Sequence, residues 1–251
     1  MRPRERQLKI IDLVHHHGKL GVDQLAERFT VSAETIRRDL TFLAAQGKLT
    51  KVHGSAIPLR DFGEGAFAQR MQSNAEAKRV IASKARQLVA PGDTVFIDTG
   101  STTLTMAAQL ATIDDLTVIT NSTEIARTIG TANSNAKMFL LGGTYNADNR
   151  QTCGAIALNQ LGSFHASIAL LAVAALSGEA GVMDYSFDEA SIASAMIARS
   201  DRVVILADAS KFDRVAPFVV ASFEQIDTLV CDEVPVDLLA HQLEQAGVAV
   251  I

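Results

Sequence analysis

Residues 31–47 read VSAETIRRDLTFLAAQG and set two adjacent arginines, Arg37 and Arg38, among Glu34, Thr35 and Thr41. Guanidinium forks donate to base edges and phosphates, and short polar side chains add further donors and acceptors, so this set suits contact with a nucleic-acid duplex. A second polar set recurs after residue 90. It comprises Asp98-Thr99-Gly100-Ser101-Thr102-Thr103, Thr120-Asn121-Ser122, Gly142-Gly143, and Asp208 with Ser210-Lys211-Phe212. Hydroxyls and backbone N–H groups entering a helix can cradle a phosphate, paired glycines let a ligand approach the backbone, and a lysine supplies a point charge. Each run taken singly is also ordinary turn and capping chemistry. Their recurrence at equivalent places is what singles them out.

These side chains need elements to hold them. Ile36, Leu40 and Leu43 fall at i, i+4 and i+7, which predicts a helix that buries this stripe and turns Arg38, Glu34 and Thr41 outward, with Ser32 as N-cap and Gly47 as stop. Upstream, residues 4–17 are apolar at Leu8, Ile10, Ile11, Leu13 and Val14, and residues 22–29 place Val22, Leu25 and Phe29 on one side. The turn Thr30-Val31-Ser32 then joins two helices in the helix-turn-helix manner, whose second helix enters the major groove. Residues 48–54, KLTKVHG, alternate as a short strand pair would, a wing that brings Lys48, Lys51 and His53 to the DNA backbone. A linker is expected over residues 58–75, holding Pro58, Gly63 and Gly65, and a helix over 76–89 closed by Pro91-Gly92. Apolar runs at 94–97, 116–119, 137–141, 167–173, 202–206 and 228–231 are separated by helix-length segments. They predict an α/β class with a doubly wound, mostly parallel sheet, and such sheets bind ligands beyond the C-terminal ends of their strands.

Charge divides the same way. The chain of 251 residues has a net charge of −5, yet residues 1–60 hold 11 Lys and Arg against 6 Asp and Glu, and the remainder 12 against 22. A basic reader attached to an acidic sensor gives this asymmetry. No apolar run of about 18 residues and no signal-peptide pattern occurs, so a cytoplasmic protein with no membrane partner is expected. The two cysteines, Cys153 and Cys231, lack C-x-x-C spacing and are expected as reduced structural thiols.

Residues 4–56, with RQLKIIDLV, LAERFTVSAETIRRDL and GKLTKVHGSA, resemble the winged helix-turn-helix of the DeoR family of bacterial transcriptional regulators. Ser55 stands where the family usually has a second glycine. The polar runs after residue 90, with Glu189 and Ala195-Met196-Ile197, resemble that family's effector domain over residues 76–251. The resemblance implies a reader over residues 1–57 and a sensor fold like that of sugar-phosphate isomerases and CoA transferases. It also implies a phosphorylated sugar or polyol as effector and an assembly of two or four copies on operator DNA. Met183-Asp184-Tyr185 and the 208–212 string are similar to members that answer to glycerol 3-phosphate. The implied DNA contacts are Ser32, Glu34, Thr35, Arg37, Arg38, Thr41, Lys48, Lys51 and His53. The implied effector contacts are Asp98, Gly100, Ser101, Thr102, Thr103, Asn121, Ser122, Gly142, Gly143, Arg150, Asp184, Glu189 and Lys211. One departure is Ala193-Ser194, where the family usually carries Lys-Arg just before the Ala-Met-Ile string.

Other readings stay open at this point. Asp184, Asp188 and Glu189 suit proton transfer as well as contact with ligand hydroxyls, which keeps a sugar-phosphate isomerase with an accessory DNA-binding domain as the rival class. Ala193 and Ser194 also admit a sensor reduced to an oligomerisation module. His15-His16-His17 point in different directions on a helix and are not expected to bind metal; no cofactor and no catalytic residue is expected. His165 is expected in a turn or core, and Cys153 as a buried thiol.

Overall fold

The structure is a computed structural model and describes residues 6–7, 9–10, 13–14, 20–45, 49–52, 55–58, 67–133 and 135–251. Its contacts divide the chain into two units, Met1–Gly63 and Glu64–Ile251.

In the first unit, helical residues between 6 and 14 are followed by β1 (Leu20–Gly21), α1 (Val22–Phe29), α2 (Ala33–Ala45), β2 (Leu49–Val52) and β3 (Ser55–Pro58). Ile10, Val14, Val22, Leu25, Ile36, Leu40, Leu43 and Leu49 form one core, so the stripe at i, i+4, i+7 is the buried face of α2. Helix α1 stops because Thr30 turns left-handed (φ 53°), and the N–H groups of Thr30 and Val31 return to the carbonyls of Glu27 and Ala26. The strands order as β1-β3-β2, all antiparallel. The hairpin runs further than the 48–54 stretch that alternation suggests: Leu49 faces Pro58, whose missing N–H is tolerated at a strand end. Lys48, His53 and the His15–His17 run lie outside the described residues, and of Lys51 only the backbone is described.

The second unit runs α3 (Phe67–Gln72), α4 (Ala75–Arg86), β4 (Thr94–Ile97), α5 (Ser101–Leu110), β5 (Thr117–Thr120), α6 (Thr123–Ala132), β6 (Lys137–Leu140), β7 (Thr144–Asn146), β8 (Gln151–Cys153), α7 (Ala155–Leu161), β9 (Ile168–Ala172), β10 (Ala175–Ser177), β11 (Gly181–Asp184), α8 (Phe187–Ile197), β12 (Val203–Leu206), β13 (Phe218–Ala221), β14 (Thr228–Val230), α9 (Asp237–Gln245) and β15 (Ala249–Val250). Seven strands make one wholly parallel sheet in the order β15-β14-β12-β9-β4-β5-β6. Period-two alternation feeds both faces. Val95, Ile97, Val118, Leu170 and Val204 pack against α4, α5 and α6, while Phe96, Ile119, Leu171 and Ile205 pack against α7, α8 and α9. Helix α3 falls inside the stretch read from sequence as linker, and its Phe67 is buried.

Three features escape the sequence pattern. β15 is a two-residue edge strand; β7 pairs with β8 as a hairpin; and β10, β11 and β13 form a separate antiparallel sheet. All are too short to announce a period.

The chain starts the large sheet at β4, moves outward through β5 and β6, then returns to β9 on the other side of β4. The direction of winding therefore reverses between β4 and β9, and a crevice opens at the ends of those two strands.

Candidate functional site

The outer face of α2 is the first candidate. Ser32 caps the helix: its Oγ accepts the Thr35 N–H at 3.2 Å and lies 2.9 Å from the Thr35 hydroxyl. Glu34 lies 3.7 Å from Arg37 and 3.5 Å from Arg38, loose exposed pairs, and the Arg38 side chain is 81% exposed. Thr41 returns its hydroxyl to the Arg37 carbonyl. Among the described residues, the helix thus presents two guanidinium groups paired with one neighbouring carboxylate. Behind it, Asp39 is buried and accepts from Arg6 Nε at 2.6 Å and Gln7 Nε2 at 2.9 Å, which fixes the N-terminal helical segment against the inner side of α2. Asp39 and Arg6 were not singled out in the sequence; a carboxylate beside two arginines reads there as surface charge.

The second candidate is the crevice at the switch point, a narrow cleft at the ends of β4 and β9. Thr99, Gly100, Ser101 and Thr102 line one side, at the end of β4 and the start of α5, and Ala172 and Val173 line the end of β9. Asp184, Glu189, Lys211 and Arg70 complete it. Gly100 is there for space: a Cβ would come within 2.7 Å of the Ala172 Cβ, where the two strand ends converge. The N-terminus of α5 brings unsatisfied N–H groups and the positive end of its dipole to the cleft, beside an ammonium and a guanidinium. Together they suit an anion.

Carboxylates face them. Glu189 Oε1 accepts from Asn149 Nδ2 at 2.6 Å and from Gln151 Nε2 at 2.7 Å, while Arg70 Nη2 donates to Asn149 Oδ1 at 2.9 Å. Asp184 Oδ1 accepts the Ser186 N–H at 2.9 Å. Asp98 lies buried behind the cradle, its Oδ1 accepting the Ala172 N–H at 3.0 Å. Burial pushes its carboxyl well above the usual carboxylate range, and the charges of Glu189 and Asp184 push the same way, against hydrogen bonds from Ala172 and Thr103. A carboxyl that keeps its proton to higher pH repels a bound anion less.

The remaining sequence-named residues have other work. Thr103 is fully buried and donates to the Gly100 carbonyl, and Ser122 caps α6. Asn121 donates to Gln151 Oε1 and to the Thr152 carbonyl, tying β8 to the end of β5. Gly142 and Gly143 do not line the cleft. The Gly142 N–H donates to Gln160 Oε1 at 2.7 Å, and at Gly143 (φ 144°) a Cβ would fall 2.4 Å from the Cys153 carbonyl, so the protein itself packs closely against both. Arg150 turns to Glu124 at 3.5 Å, outside the cleft lining. Conversely, Arg70, Asn149 and Gln151 were missed: they sit on a short helix and a hairpin that no periodicity marks.

The other open readings also find places. Cys153 is buried, burial raises its thiol pKa with Asp188 adding to it, and its Sγ points to the Thr144 carbonyl. His165 is exposed and lies 2.7 Å from Asp201. Ala193 on α8 is buried in the core, and the Ser194 hydroxyl donates to the Val220 carbonyl at 2.7 Å, tying α8 to β13. No helix among the described residues is long and apolar enough to cross a membrane, and no three His, Cys, Asp or Glu side chains among them gather as a metal site.

A winged helix-turn-helix unit followed in one chain by a parallel α/β unit with an anion-suited cleft defines a reader joined to a sensor. Residues 6–60 match the DeoR-like helix-turn-helix domain and residues 73–233 the DeoR C terminal sensor domain. The chain belongs to the DeoR family of transcriptional regulators. It is 31% identical to the HTH-type transcriptional regulator GlpR of Haloferax volcanii, over 100% of this chain and 98% of that one. It is 29% identical to the HTH-type transcriptional repressor CsqR of Escherichia coli, over 99% and 94% respectively. Among solved structures it is similar to a ribose 5-phosphate isomerase A from Methanocaldococcus jannaschii, with 16% identity and a TM-score of 0.42, over 56% of this chain and 55% of that one. The match thus spans about half of that enzyme's length.

Proposed function

We propose that this protein is a transcriptional repressor of a sugar or polyol catabolic operon, released from its operator by a phosphorylated sugar or polyol, with glycerol 3-phosphate as the candidate. One observation carries the effector half: the N-terminus of α5, Lys211 and Arg70 converge on one cleft at the switch point of the sheet. Phosphate takes the helix end and the two cations, while Asp184 and Glu189 accept from ligand hydroxyls. The reader half rests on the exposed Arg37 and Arg38 of α2, with Glu34, Thr35 and Thr41 beside them and the wing on the phosphate backbone. The effector changes DNA affinity only through its differential affinity for two arrangements of the protein.

The cleft is read as a binding site and not a catalytic one. Full-length relatives carry the names of transcriptional regulators and repressors, and one Glu189 oxygen is already engaged by two amide donors. Fluorescence anisotropy with the protein's own upstream DNA, at two salt concentrations and with a panel of sugar and polyol phosphates, tests the whole reading. Tight, salt-sensitive binding relieved by one metabolite is expected. Turnover of a pentose, hexosamine or triose phosphate that disappears in Glu189→Gln would replace the reading with an enzyme.

A further inference from the structure

Helix α3 is the first described element of the sensor unit, three residues after its start at Glu64, and is therefore the covalent route from the sensor toward the reader. Six residues do not hold a helix in place by propensity alone. What holds α3 is a set of tertiary ties, and they lead to the cleft.

Phe67 is buried, with the guanidinium groups of Arg70 and Arg150 at 5.5 Å and 5.9 Å from its ring centroid. The buried Lys78 of α4 donates its ammonium to the carbonyls of Arg70 and Ser73, fixing the backbone at the end of α3. Asn74 Nδ2 donates to Asp208 Oδ1 at 3.0 Å and lies 3.2 Å from Ser210 Oγ, on the turn that carries Lys211. The remaining tie runs through Asn149 in the β7–β8 turn. Its Oδ1 accepts from Arg70, its Nδ2 donates to Glu189, and its backbone carbonyl accepts from Thr99 Oγ1 at 3.2 Å. Arg70, Glu189 and Thr99 all line the cleft. Asn149 does not, yet it touches all three.

We propose that Asn149 is the positioning residue that couples the cleft to α3: its amide oxygen holds the Arg70 guanidinium, and a phosphorylated ligand competes with it for that guanidinium. The inference rests on the effector reading above. An amide oxygen is a neutral acceptor, whereas a phosphate offers a charged, bidentate one with roughly twice the hydrogen-bond strength. Because Lys78 grips the Arg70 backbone, a displaced Arg70 side chain is felt by α3 itself. The DNA-competent arrangement is the one in which Asn149 keeps Arg70. Ligand binding and DNA binding then oppose each other by one reciprocal factor.

The test compares Asn149→Ala with Asn149→Asp in the full chain. Both lose the donor to Glu189, but only the alanine loses the acceptor for Arg70. Three quantities are read for each: anisotropy on the upstream DNA without and with each of a panel of sugar and polyol phosphates, calorimetric binding of the same metabolites, and amide hydrogen exchange in residues 67–74. Melting curves confirm folding.

For Asn149→Ala the expected result has several parts. DNA affinity without metabolite falls by at least about 5-fold, the low end of ordinary coupling factors. The metabolite's effect on DNA affinity shrinks by the same factor, its binding is undiminished or tighter, and exchange in 67–74 is faster. Asn149→Asp keeps wild-type DNA affinity without metabolite and slow exchange in 67–74. The proposal is overturned if both variants behave alike, if Asn149→Ala keeps wild-type DNA affinity and response, or if it loses metabolite binding while DNA affinity stands. A wild type that responds to no metabolite removes the effector reading itself, and this inference with it.

Discussion

At the scale of single residues, Arg38 and Asp39 stand next to each other and do opposite things. Arg38 is exposed and only loosely paired with Glu34, whereas Asp39 is buried against Arg6. A periodic stripe places Arg38 outside from sequence alone, but the partner of Asp39 lies 33 residues away. Arg38→Ala is expected to weaken operator binding by about 1–3 kcal/mol if the guanidinium reads a base edge; an unchanged affinity in the gel-shift assay would remove it from the contact. Asp98 gives a prediction of a different kind. Its carboxyl titrates higher in the folded chain than in the unfolded one, because burial and the Glu189 and Asp184 charges oppose ionisation. The folded state then binds more protons across that window, so its stability falls as pH rises from the ordinary carboxylate range through the raised pKa. Asp98→Asn keeps an oxygen for the Ala172 N–H and is expected to melt higher at neutral pH, with a flatter profile across the window. Thermal melts at a series of pH values that superpose on wild type would contradict it.

At the scale of elements, strands and caps were more legible than loops. The runs at 94–97 and 202–206 announce β4 and β12 because a strand buried on both faces is apolar at nearly every position, here Val95–Ile97 and Val203–Leu206. Ser122 announces the start of α6 by capping chemistry. The loops after the strands look alike in sequence, yet those after β4, β9 and β12 reach the cleft while those after β5 and β6 do not line it. Gly142-Gly143 illustrates the difference: of the pair that suggests access for a ligand, Gly143 is required by the Cys153 backbone. Gly143→Ala is therefore expected to destabilise the chain by about 1–3 kcal/mol, since it combines a left-sided φ with a backbone clash. The check is a lowered thermal midpoint, and a midpoint equal to wild type would show that the hairpin shifts freely.

At the scale of the whole molecule, one short recognition helix offers few base contacts, and a repressor gains discrimination by placing two of them on one operator. A mass of two or four times 26.8 kDa is the expected outcome of light scattering on the purified chain; a monomer that still binds its operator tightly would refute it. By itself the sequence determined the order of units, the reader's buried stripe and exposed arginines, six of the seven strands of the parallel sheet, and the family. It could do so because periodicity, capping and motif strings are local and survive in one dimension. Only the tertiary structure decided that winding reverses between β4 and β9, so that Thr99–Thr102, Ala172 and Lys211 share a cleft while Asn121, Gly142 and Arg150 fall outside it. It alone joined Arg70 to Glu189 through Asn149, across 79 and then 40 positions of chain. Contacts at that separation depend on strand order and on which helix covers which face, and neither is written in the spacing of neighbouring residues.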